Sequence, residues 1–371
     1  MRWNIFLFLF IISIPCFSQN PYLFIGTYTN GQSKGIYVYR FNTATGTGTE
    51  ISTITAKNPS YLAIAPDGKH LYATDEEQKS GEVGAYAFDP ATGKLAFLNS
   101  QSAMGSCPCY VTEDKTGRWV FVANYCSGNL AAFPVNSDGS LAPAAQTIQH
   151  QGKGFDTARQ ESPHVHSTIL SPDEKYLMVA DLGTDREHVY SFDPTASAPL
   201  SEARDSAASL HPGTGPRHIA FHPLKQDVYI LGELSGTIDA FHFDSKNGKL
   251  SHFQRIRTTP ESFRGFPGSA DIHISANGKF LYATNRGTSN TIAVFGINRD
   301  GKLSEKQILS VNGNHPRNFT IDPTGRYLLV ANRDTDNIVI FKIDPATGLL
   351  KSTGKEIKLP NPVCLKFLVG K

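Results

Sequence analysis

The chain repeats itself. Six segments read as strand, tight turn, strand; they begin at Asn58, Cys107, His164, Gly215, Gly268 and His315. Aligned on their turns, the units start at Pro59, Pro108, Val165, Pro216, Ser269 and Pro316. A seventh start lies at Pro362, which sets a mean step of about 50 residues. Each unit is expected to continue into a second hairpin, whose turn runs from Asp89 to Gly93, Asn136 to Gly139, Asp244 to Gly248, Asn298 to Gly301 or Asp344 to Gly348. Asp, Asn, Pro and Gly in these turns supply local hydrogen bonds, a fixed φ and a positive φ. Four strands in each period predict the blade of a β-propeller.

The two ends complete the count. Phe24-Ile25-Gly26-Thr27-Tyr28 overlays Phe121-Val122-Ala123-Asn124-Tyr125, the second half of a unit, whereas the piece from Pro362 supplies only a first strand. One blade is therefore expected to form from both termini, which closes the ring and hides its sheet edges. The fold class is all-β: a seven-bladed β-propeller, one domain over residues 19–371. With 40% hydrophobic and 18% charged residues, the composition is too apolar for a disordered chain. The 35 basic and 33 acidic residues leave a formal charge of +2, so no chain-wide attraction to nucleic acid is expected.

Residues 1–18 read as a secretory signal peptide: Arg2, an apolar run from Ile5 to Ile14, then Cys16-Phe17-Ser18 with cleavage after Ser18. The run is too short to span a membrane, and Pro15 disfavours lipidation at Cys16. The mature chain is expected to be periplasmic or secreted, free of membrane and monomeric. Export permits disulfides. Cys107 and Cys126 lie symmetrically about the Lys115–Arg118 turn, opposed across one hairpin, so a bridge between them is expected.

Propellers bind ligands at one end of the central channel, so equivalent positions of the blades can be compared. The start of the innermost strand gives Ser60, Cys109, His166, Arg217, Ala270, Arg317 and Val363; the next column includes His218 and Asp271. The end of the second strand gives Tyr28, Glu76, Tyr125, Leu182, Glu233, Arg286 and Arg333. These columns converge, because in an antiparallel hairpin the start of one strand lies beside the end of the next. Four Arg and a His at one mouth suit a carboxylate or phosphate group. Asp271, His218, Arg317, Arg333, Tyr28 and Tyr125 form the expected substrate-binding set, with His218, like His273, read as structural and not catalytic. His164 alternates with His166 and is read as packing. His70, His188, His211, His222 and His242 are read as surface or blade-packing residues. The Asp75, Asn124, Asp181, Asn285 and Asn332 column is read as strand-end caps in preference to cation ligands. No metal and no cofactor are expected, and the opposite mouth reads as turn chemistry alone.

Phe24 to Tyr28, His166-Ser167 before Ser171-Pro172-Asp173, Gly215-Pro216-Arg217-His218, Glu233-Leu234, and Asp271-Ile272-His273 with Asn285-Arg286-Gly287 carry a resemblance. The sequence resembles the seven-bladed lactonase family that includes the propeller type of 6-phosphogluconolactonase and the fungal carboxy-muconate lactonising enzyme. The resemblance covers essentially all of the mature chain. It implies His166, Glu233, Arg217 and Arg286 as catalytic residues. Arg217 and Arg286 would hold an anionic group and the oxyanion; His166 and Glu233 would share the acid and base roles, in an order left open. The implied partner is a small-molecule lactone with an anionic or polyhydroxyl group. Phosphorylated sugars are scarce outside the cytoplasm, so an unphosphorylated aldonolactone is the expected substitute. The alternative is a non-catalytic propeller binding carbohydrate or protein. A quinone or metal dehydrogenase expects stacked Trp or a carboxylate cage, and only Trp119 follows the signal segment.

Overall fold

A computed structural model describes residues 20–368. The proposed signal segment, Cys16 included, lies outside the described residues. Seven four-stranded antiparallel sheets form the ring. Blade 1 is built from Pro362–Phe367, Tyr22–Thr27, Gly35–Asn42 and Thr47–Thr55, so its innermost strand comes from the far end of the chain. That strand pairs with the N-terminal one through Ile25↔Leu365 and Leu23↔Phe367. Blades 2 to 7 follow in chain order, with innermost strands Leu62–Ile64, Pro108–Glu113, Val165–Leu170, Pro216–Phe221, Ser269–Ile274 and Pro316–Ile321. Each innermost strand packs against the next one around the channel.

Alternation places the second strand of every blade with both faces buried, and the apolar residues fill the spaces between blades. Leu23, Ile25 and Tyr37 meet Tyr327, Leu329 and Ile340 between blades 1 and 7. Phe121 and Leu130 meet Leu177 and Tyr190 between blades 3 and 4. A ring of tethers adds directional bonds. An aromatic residue on a second strand donates to a carbonyl in the outer hairpin of the next blade: Tyr22 to Pro90, Tyr72 to Gly139, Trp119 to Pro194, Tyr229 to Gly301, Tyr282 to Gly348 and Tyr327 to Ala44. A buried hydrogen bond of this kind contributes about 1 kcal/mol. Cys107 and Cys126 are joined as a disulfide, their Cα atoms 5.3 Å apart. Among the described residues, no helix is long and apolar enough to cross a membrane.

Candidate active site

The innermost strands share an irregularity that the repeat pattern alone does not reveal. Near its start, the register to the second strand skips residues in six of the seven blades. The skipped positions are Cys109, His166, Arg217, Ala270-Asp271, Arg317 and Val363. A bulge frees a residue from the ladder and re-aims its side chain. The residue before the strand often turns with positive φ, as at Gly215 (60°) and Gly268 (52°), where glycine adopts the left-handed conformation without strain. The column inferred from the repeat is thus a column of bulges around the channel.

Glu233 is the hub. Its Oε2 accepts from Arg217 Nε at 3.0 Å and lies 2.7 Å from Arg286 Nη2, while Oε1 accepts from Arg159 Nη2 at 2.8 Å. Burial alone would raise the carboxyl, but the guanidinium groups of Arg286, Arg217 and Arg159 outweigh it and hold Glu233 down at about 2. Arg217 is 1% exposed; its Nη1 donates to the Ala270 carbonyl and to His218 Nε2. His218 Nδ1 in turn lies 2.7 Å from Asp271 Oδ1. These contacts assign the ring as Nδ1–H donor and Nε2 acceptor. Burial and then Arg217 hold His218 down at about 3, so it is neutral.

A cavity of about 190 Å³ opens above this hub, lined by Glu76, Cys109, Tyr125, Arg159, His166, Glu233, Arg286 and Arg317. Burial, reinforced by Arg217, His218, Arg317 and Arg286, keeps the His166 imidazole well below its ordinary range and therefore uncharged. Its Nδ1 faces the Cys109 sulfur at 3.8 Å. The Cys109 thiol is pushed up by burial and by Glu76, the opposite of what an activated nucleophile needs. Arg317 contacts Glu76 Oε2 at 3.3 Å, and Tyr28 donates to the same oxygen at 2.9 Å. Four guanidinium groups, Arg217 beneath the cavity included, thus face two carboxylates and leave an excess of two positive charges.

The structure brings His166, Arg217, Glu233, Arg286, Arg317 and Tyr125 together, but in layers. Arg217, expected to hold substrate, is not among the lining residues; its Nε and Nη1 are engaged in anchoring Glu233 and His218. Asp271 and His218, expected to bind substrate, sit one layer lower. Asp271 receives His218, His273, Asn318 and two backbone amides, so it clamps blades 5, 6 and 7. Arg333 pairs with its neighbour Asp334 and lines an adjoining depression of about 560 Å³ with Tyr28 and Glu76. The opposite mouth is more than turns: Tyr61 and Tyr110 stack with centroids 4.0 Å apart in a depression of about 380 Å³ that His218 and Asp271 also line. His164 packs on the Tyr125 ring, centroids 4.5 Å apart.

Arg159 escapes the repeat because it lies on residues 150–164, between the last strand of blade 3 and the first of blade 4. Among the described residues the other blade-to-blade connections are shorter, and only the length of this one marks it.

The lactonase seven-bladed β-propeller family profile matches residues 22–367. The chain is 37% identical to a 6-phosphogluconolactonase of Bacillus subtilis over 348 residues, 93% of this chain and 97% of the relative. A 6-phosphogluconolactonase of Formosa agariphila is 36% identical over 342 residues, 90% of this chain and 96% of the relative. The solved structure of a periplasmic gluconolactonase from Pseudomonas aeruginosa superposes with a TM-score of 0.91 and 37% identity, covering 94% of this chain and 99% of the other. With its bulged Arg and His column, its Glu233 hub and this full-length similarity, the chain belongs to the seven-bladed β-propeller lactonase family.

Proposed function

We propose that this chain is an exported lactonase that opens the ring of an unphosphorylated sugar-derived lactone such as an aldonolactone. One observation carries the reading: a neutral His166 and an excess of guanidinium charge share a cavity of about 190 Å³, sized for a single sugar ring. A neutral lactone gains negative charge only as water adds to its carbonyl, and the product is a carboxylate. Positive charge fixed in advance therefore favours transition state and product over the bound substrate.

His166 takes the proton from the attacking water, and Arg286, Arg159 and Arg317 stabilise the oxyanion. As that oxyanion forms, it offsets the repulsion between an imidazolium and the surrounding Arg side chains, so proton uptake and charge development assist each other. The tetrahedral intermediate collapses by breaking the bond to the ring oxygen, which receives the proton back from His166. Glu233, held ionised by three guanidinium groups, orients the Arg cluster and carries no proton. The disulfide between Cys107 and Cys126 and the similarity to a periplasmic gluconolactonase support export.

The experiment is acid release in a pH-stat with purified mature chain, comparing D-glucono-1,5-lactone with its 6-phosphorylated form. Faster turnover of the unphosphorylated lactone supports the proposal. Preference for the phosphorylated form overturns the substrate assignment, and flat traces on a wider lactone panel favour a binding module.

A further inference from the structure

Between blades 3 and 4, on the outer side of the site, a second group of ligating side chains converges. His150 closes the last strand of blade 3, while Asp181 and His188 belong to the second and third strands of blade 4. His150 Nδ1 is 2.9 Å from Asp181 Oδ2, and the His150 and His188 ring centroids are 4.0 Å apart. One ligand atom from each of the three residues lies within 4.8 Å of the others. We propose that this triad is a binding site for a divalent transition metal of the zinc class, clipping blade 3 to blade 4.

Three features support the assignment. Two imidazoles and one carboxylate form a donor set suited to Zn²⁺ and its neighbours. The outer contacts are those of a prepared site: Asp181 Oδ1 is occupied by the amides of His164 (2.8 Å) and Gly183 (3.0 Å), which leaves Oδ2 for the ion, and His150 Nε2 is 3.0 Å from the Tyr190 hydroxyl. His188 Nε2 is buried without a hydrogen-bond partner, a costly state that an ion would relieve. His188 as a whole is half-buried, so the site has an edge towards solvent.

Ligand bonds of about 2.1 Å in a tetrahedral arrangement set two donors on one ion about 3.4 Å apart, so any pair in the triad that stands farther apart closes on loading. The ion displaces the hydrogen bond between His150 and Asp181. The ring proton of His150 moves from Nδ1 to Nε2, where the Tyr190 oxygen accepts it, and the ring stays neutral. Three protein ligands leave one position for water. Asp181 holds both ends of residues 150–164, His150 by its side chain and His164 by its amide. A bound ion would therefore fix the segment that delivers Arg159 to Glu233.

The test uses the untagged mature chain, stripped with a chelator, reloaded with Zn²⁺ and separated from free metal. The expected result is about one equivalent of zinc retained per chain, with a raised Tm; the His188→Ala variant should lose both. Wild-type chain that retains no zinc, or His188→Ala chain that retains as much as wild type, overturns the proposal. Co²⁺ loading of the wild type gives an answer independent of any variant. Ligand-field bands without a thiolate charge-transfer band support the triad, and a thiolate band places the metal on cysteine and refutes it.

Discussion

Arg159 Nη2 and Glu233 Oε1 lie 2.8 Å apart, although 74 residues separate them in sequence and only Glu233 is set by the propeller repeat. The contact brings a non-repeating connection into the mouth of the channel, where Arg159 also reaches the Tyr125 hydroxyl at 3.3 Å. A symmetric ring thereby acquires a one-sided site.

Arg159 is partly exposed, and without it the buried Glu233 carboxylate still pairs with Arg217 and Arg286, so the loss to stability is small. Arg159→Ala should fold with a stability change under about 1 kcal/mol. It should lose about tenfold or more in kcat/KM, because one oxyanion donor is gone. Urea unfolding combined with steady-state kinetics checks both halves.

Glu233→Gln leaves Arg217 and Arg286 buried with their shared anion removed. Breaking a buried pair in this way costs about 3–5 kcal/mol. A fall of that size in unfolding free energy, with kcat/KM down at least about 100-fold, is expected. An unchanged denaturation midpoint would show that the hub does not hold the Arg cluster.

Cys109→Ala should keep kcat within about threefold of wild type, since the thiol is held in its protonated form and is no nucleophile. Iodoacetamide treatment of the native enzyme should likewise leave activity in place.

Stability should fall with acid. His218 is held at about 3 in the fold against an ordinary 6.5, and Glu233 at about 2 against 4.5. Between those limits the unfolded chain binds protons that the fold does not. Their contribution is therefore complete above pH 6.5 and is lost as pH falls towards 3 and then 2. His218 adds a slope of about 1.4 kcal/mol per pH unit over its window. Urea titrations from pH 4 to 7 should show at least that slope, and His218→Gln should reduce it by about that amount while His166, also held neutral in the fold, keeps its own share.

The ring and its closure were legible because they follow from period and alternation: Phe24-Ile25-Gly26-Thr27-Tyr28 matched a half-unit, and Pro362 opens the strand that completes its blade. His166, Glu233 and Arg286 were legible for the same reason, as equivalents in register. Depth along the channel was not. A bulge adds or skips one position, and whether Arg217 faces the cavity or the layer below it depends on which acceptors, here Glu233, His218 and the Ala270 carbonyl, lie within reach. Arg333 shared a column with Arg286, yet its own neighbour Asp334 captures it. His150, His188 and Asp181 come from three different strands, and no single period aligns them.

The central claim is that an uncharged His166 moves the proton within the Arg-lined cavity. Its most direct test is kcat/KM for lactone hydrolysis by His166→Asn beside wild type, with circular dichroism confirming the fold. A loss of about 100-fold or more is predicted. Hydrolysis by His166→Asn within about threefold of wild type, far short of what a general base contributes, would contradict the account.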